Sequence, residues 1–165
     1  MSRADNCSVT PSLGQSIVHR WIEAWSGNDP AAWTALYSPS AKYTDHAFQI
    51  VRIGPSTLEE HWAIWRTAHP DFVIEIESSW PYEELPGGRC RYSIRTTNRG
   101  TFVNDLPRSK ATGKPFWFRG CVDIIINLST GLIEEVEEWY CSNFERTTAL
   151  TDYHCKADES SNLDN

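Results

Sequence analysis

The stretch PFWFRGCVDIIINLSTGLIEEVEEWYCSNF, residues 115–144, decides how the rest of the chain is read. Its first half, Pro115 to Asn127, is dense in aromatic and β-branched side chains, the composition of a strand. Ser129-Thr130-Gly131 then makes a turn, and Leu132 to Phe144 reads as a second strand returning beside the first. In a strand, successive side chains face opposite sides of the sheet. Glu134, Val136, Glu138 and Tyr140 therefore share one face, and Glu135, Glu137 and Trp139 the other. A bulge would exchange the two sets.

Upstream of this hairpin the strand pattern continues. Arg89 to Val103 is long and rich in Tyr, Ile and Thr, Asn104 to Gly113 reads as a loop, and Pro86-Gly87-Gly88 is a turn. Phe72 to Trp80 alternates, with Phe72, Ile74 and Ile76 against Val73, Glu75 and Glu77. Further back the period changes to that of helices. Ser56-Thr57-Leu58-Glu59 is a capping box opening a helix to about Ala68, ended by His69-Pro70-Asp71. Ala41 to Phe48 reads as a strand. Asp29-Pro30 opens a short helix with Trp33, Leu36 and Tyr37 on its apolar side, closed by Ser38-Pro39-Ser40. The first helix has Ser12 as its cap and Gln15 three residues on. Leu13, Ile17, Trp21, Ala24 and Trp25 recur at helical spacing until Gly27. Three helices and a run of hairpin-linked strands predict an α+β domain over 12–149. Its long, curling sheet wraps over the helices and leaves a cone-shaped hollow. Residues 1–11 and 150–165 read as polar tails, the second disordered.

Length and composition agree with one domain. The chain has 165 residues, 40% hydrophobic and 22% charged, long enough for a substantial core. A net charge of -7 with scattered basic residues argues against nucleic acid. No apolar run approaches the roughly 20 residues of a membrane span, and Met1 to Thr10 lacks the apolar segment of a signal peptide, so the expected location is cytoplasmic. The five cysteines fit that reading as free thiols, since no two stand at metal-finger spacing. Eight Trp, six Tyr and six Phe exceed what a small core needs, and some are expected to line a cavity or a subunit interface.

Four local features resemble the NTF2-like superfamily and, within it, the SnoaL-like polyketide cyclases and isomerases. They are Gly27-Asn28-Asp29 followed by Trp33 and Leu36; Tyr43-Thr44-Asp45-His46; His69-Pro70-Asp71; and Gly113-Lys114-Pro115, Gly120 and Gly131-Leu132-Ile133-Glu134-Glu135. The resemblance spans about Ser12 to Ala149. It implies a cone-shaped antiparallel or mixed sheet, an α+β barrel, wrapped over three N-terminal helices. It also implies a cofactor-independent homodimer that acts on a small hydrophobic carbonyl compound of secondary metabolism. Neither a membrane nor nucleic acid enters that activity.

The same resemblance selects residues. Asp45 stands where ketosteroid-isomerase-like members carry a general base, and a carboxylate in an apolar pocket has a raised pKa suited to proton transfer. The alternative for Asp45 is a turn-forming residue at a strand end. Glu138 lies seven residues after Gly131, where SnoaL-like cyclases carry a catalytic Asp, and this spacing favours its face as the inner one. The alternative is a solvated acidic run from Glu134 to Glu138. Tyr43, Trp21, Trp25, Trp65, Phe118 and Tyr140 are candidate pocket walls, with core packing as the alternative for each. His61 and Asn98 are candidate polar contacts. Asn98 stands where many relatives have His, and it cannot shuttle protons at ordinary pH. His46 points away from Asp45 on a regular strand and reads as structural. Trp117, Arg119 and Trp139 are placed on the convex face, suited to a dimer interface.

Other chemistries lack their residues. No Gly-rich phosphate loop, His-Glu-x-x-His or Gly-x-Ser-x-Gly is present. The Arg-x-Asp pair that epoxide hydrolases of this superfamily use occurs only as Arg3 and Asp5, outside the domain. Two other functions remain open on the same fold. One is a dehydratase or rearrangement catalyst, for which His46 and His61 would be the histidine pair. The other is a binding module without catalysis.

Overall fold

The computed structural model describes residues 10–140. Helix α1 runs Thr10–Ser26, α2 Pro30–Thr34 and α3 Pro55–Ala68. The strands are β1 Tyr37–Asp45, β2 Ile50–Ile53, β3 Val73–Ser79, β4 Glu83–Leu85, β5 Arg89–Thr101, β6 Pro115–Asn127 and β7 Leu132–Tyr140. They form one mixed sheet in the order β2-β1-β7-β6-β5-β3, with β4 paired to β5. The sheet is not closed, because β2 and β3 remain as its two edges; the barrel of the expectation is an open, curved sheet. The expected tails, residues 141–144 of the last strand, and Cys7, Cys141 and Cys155 lie outside the described residues.

The element starts differ from the sequence reading for local reasons. Helix α1 begins at Thr10, so Ser12 lies within it instead of capping it. Asp29 does cap α2, accepting the Ala31 N–H at 2.9 Å, with Pro30 in the first turn. Ser56 does not cap α3. The cap lies two residues earlier, at Gly54, and the helix starts at Pro55, whose fixed φ suits a first turn. Gly54 turns the chain into it at φ 78, a conformation that only glycine adopts without strain. Ser38-Pro39-Ser40 does not end α2 but belongs to β1, in an irregular stretch between the pairs Tyr37↔Ile133 and Lys42↔Glu135.

Helix α1 packs on β3 and β5, and α3 on β1 and β2. Ile17, Trp21 and Trp25 point into the core, whereas Leu13 is 42% exposed. Trp33, Tyr43 and Leu58 are fully enclosed. Burying such side chains contributes roughly 1.5–3 kcal/mol each before the entropy of ordering them. The sheet's hydrogen bonds and this aromatic layer fix the inner face, and the site is built on that face.

Candidate active site

Strand β1 runs parallel to β7, and their register sets Asp45 directly beside Glu138. Two segments 93 positions apart thus deliver two carboxyl groups to one point on the inner face. The next strand continues the row, with Val122 opposite Glu138. A bulge in the β6–β7 ladder falls between Ile125 and Ile126. It turns Glu134 away from the face shared by Val136, Glu138 and Tyr140. Glu134 instead accepts the Asn127 side-chain amide at 3.0 Å and stands 3.9 Å from Arg89.

The two acids have different surroundings. Asp45 is 1% exposed. Its Oδ1 accepts the Phe48 N–H at 2.9 Å and its Oδ2 accepts the Tyr140 hydroxyl at 2.7 Å. Burial raises its pKa, while these donors hold the rise in check. Glu138 is partly buried, and its pKa is pushed well above the usual carboxyl value, by burial first and then by the neighbouring charge of Asp45. The Tyr43 hydroxyl opposes that rise. It is buried and faces Glu138, but outside the geometry of a hydrogen bond. Both pKa values are raised, that of Glu138 the more strongly, so Asp45 is the member of the pair that ionises first.

His61 of α3 completes the cluster. One ring nitrogen and one oxygen of each acid lie within 4.8 Å of one another. Burial, with a smaller contribution from Arg52, pushes the His61 pKa down to about 4, so the imidazole is neutral. It is held against Tyr43 and Trp25, with ring centroids 4.9 and 5.9 Å away. A neutral imidazole and two carboxyl groups are also a donor set that a divalent metal could use, in competition with protons.

The cluster stands between two spaces. An inner recess of about 20 Å³, room for about one water, is lined by Trp25, Thr96, Asn98, Phe118, Gly120 and Tyr140 beside the acids. An outer chamber of about 260 Å³ opens beyond it, between Phe48, Arg52, Ile64, Trp65 and the loop Leu106–Ser109. Asp45, His61 and Trp65 border both spaces. Gly120 keeps the recess open, since a Cβ there would stand 3.0 Å from Thr96 Oγ1 and 3.4 Å from Asn98 Nδ2.

Comparison with known proteins places this arrangement in a family. The SnoaL-like domain matches residues 18–136. The chain belongs to the SnoaL-like family. Similar folds occur in a candidate SnoaL-like polyketide cyclase from Jannaschia sp., at 15% identity and TM-score 0.62 over 83% of this chain and 91% of that one. SalBIII, an epoxide hydrolase/cyclase-like enzyme of pyran ring formation in salinomycin, is 15% identical with TM-score 0.62, over 86% of this chain and 95% of its own. A ketosteroid isomerase-like protein from Catenulispora acidiphila, crystallised with trimethylamine, is 19% identical with TM-score 0.60, over 78% and 87%. No curated protein matches.

Within this SnoaL-like chain the structure brings together most of the residues singled out from the sequence. Asp45, Glu138, Trp25, His61, Trp65, Asn98, Phe118 and Tyr140 all border the recess. Trp21 does not; it is core, its Nε1 donating to the Tyr37 hydroxyl at 2.7 Å. Tyr43 touches the site only through Glu138 and His61, packed behind them as a wall. His46 points outward, stacked on Trp139 at 4.6 Å and 3.7 Å from Glu137, so it makes no pair with His61. Among the residues the sequence reading missed, Thr96 holds the Asn98 amide at 2.9 Å. Arg52 was hidden because β2 is too short to show a period. Gly120 carried a signal: a glycine inside a strand marks a close approach.

Proposed function

We propose that this SnoaL-like protein is an isomerase or cyclase that moves a proton on a bulky hydrophobic carbonyl compound, without a cofactor, in secondary metabolism. The observation that carries the reading is the Asp45–Glu138 register, two carboxyl groups side by side in unlike environments. Asp45, ionised and steadied by Tyr140, takes the proton beside the carbonyl. Glu138, protonated, donates a hydrogen bond to the oxygen as the enolate develops and keeps its proton; Asp45 then returns the proton it took at the new position or, where the enolate adds to a second carbonyl carbon and breaks that C=O π bond, gives it to the resulting alkoxide. Neutral His61 and the Asn98 amide border the recess where the reacting group sits. The body of the substrate fills the outer chamber. SalBIII, an enzyme of pyran ring formation, and a candidate polyketide cyclase among the similar structures support ring-forming chemistry on this fold. The exposed Trp117 and Trp139, 65% and 40% accessible on the outer sheet face, suit the contact of a homodimer.

The test begins with the compound that accumulates when the gene is deleted. Incubated with purified protein in heavy water, it should give a product that carries deuterium at the position next to the carbonyl. Conversion with no deuterium uptake would point instead to a skeletal shift. Binding without conversion would leave a non-catalytic module.

A further inference from the structure

Arg52 lies on the inner face of an edge strand, directly opposite Tyr43 in the β1–β2 ladder. Partners across an antiparallel pair project to the same side, so the side chain of Arg52 is sent into the cone and not out to solvent. It lines the outer chamber, close enough to His61 to lower that ring's pKa. Its Nε is buried and, among the described residues, has no hydrogen-bond partner. A buried N–H without an acceptor is destabilising, the more so when the group is charged. An inward charge can serve to block edge-to-edge pairing of sheets. That purpose is met with the head in water and gives no reason to bury the Nε of a guanidinium. Arg108, on the loop at the other side of the same chamber, adds a second cation to the rim.

We infer that Arg52, assisted by Arg108, is the anchor for a carboxylate on the substrate, so that the ligand is a hydrophobic acid and not a neutral ketone. This inference rests on the proposed reading of the site and names its substrate class. A planar guanidinium donates through paired N–H groups set side by side, a fork whose geometry matches the two accepting oxygens of a carboxylate. The ligand would lie with its acid group at the chamber wall and its carbonyl in the recess by Asp45 and Glu138. Binding in this direction also keeps the two negative groups, substrate acid and Asp45, on opposite sides of the apolar body.

The probe pair is β-naphthoate and its neutral isostere β-naphthamide, titrated into the whole protein at about pH 8 and followed by quenching of Trp fluorescence. At that pH the acid is fully ionised. The wild type should bind the acid at least about tenfold more tightly than the amide. Arg52→Gln should abolish that preference and leave amide binding unchanged, Arg52→Lys should keep part of it, and Arg108→Gln should reduce it. Equal affinity of the wild type for both probes, no binding of either, or a preference that survives Arg52→Gln overturns the inference. Asp45→Asn separates the two proposals: it removes turnover if the acid–base reading holds, while the acid preference persists whether or not that reading is correct.

Discussion

Asp45 does two things with one carboxylate. It accepts the Phe48 N–H that closes the turn after β1, and it stands beside Glu138 in the hollow. The structural reading of this residue, posed by the sequence as the alternative to a catalytic one, is met by the turn, and the proposed role as base would be carried by the same carboxylate. Asp45→Asn keeps an oxygen for the turn and loses the base, so turnover should fall about 10²–10⁴-fold with little change in stability, measured by progress curves and urea midpoints on the same sample. Glu138 predicts a pH effect. Its folded pKa is raised above the usual 4.5, so the folded state holds a proton that the unfolded chain has released. Stability from this group therefore falls as pH rises above about 4.5, until Glu138 itself ionises. Glu138→Gln removes that loss. The variant should gain on the wild type with rising pH, by up to about 1.4 kcal/mol per pH unit, while losing activity. A gap that does not change with pH would exclude a raised Glu138. His61 works in the opposite direction. Its pKa drops from 6.5 to about 4 on folding, so its neutral form favours the fold above 6.5 and this advantage, about 3 kcal/mol, is lost as pH falls towards 4.

At the scale of elements, legibility followed periodicity. Strand β6 was read to the residue and β7 correctly as far as the described residues extend, because long alternating runs between turns leave little choice. Neither bound of β1, read as Ala41 to Phe48 but running Tyr37–Asp45, was legible, nor were the short β2 and β4. Each is fixed by a neighbouring strand and not by its own composition. The bulge in the β6–β7 ladder is a tertiary feature too, and it makes Glu134 an outer residue while leaving Glu138 inside. Asn98 was found by resemblance, Phe118 as one of the candidate aromatic walls, and Gly120 was noted, but its purpose became clear only from the close approach of Thr96. Gly120→Ala should cost about 1–3 kcal/mol from overpacking, and should cut turnover by at least about tenfold by filling the recess. Denaturation midpoints and turnover measured together would check this; an unaltered rate would mean that the recess is not used. Asp29→Ala, remote from the site, should lower stability by about 1 kcal/mol and leave turnover unchanged.

Across the whole molecule, the described residues contain no helix long and apolar enough to cross a membrane. The inner face of the sheet is committed to the core and the site, so the tryptophans that remain accessible are those turned outward. A homodimer built on that face should appear as twice the chain mass in sedimentation, and Trp117→Ser should shift it towards monomer without unfolding. A monomeric wild type would remove the dimer from the proposal.

The seam between β1 and β7 has a temporal meaning. During synthesis the first strand emerges long before its partner, and until Leu132–Tyr140 has been made the acid on β1 lacks both the neighbouring acid and the Tyr140 hydroxyl. Closing so large a loop is a slow step. The pair of acids therefore assembles in a single late event, and a chain halted by the ribosome before that strand could hold much of the aromatic core yet lack the proposed site.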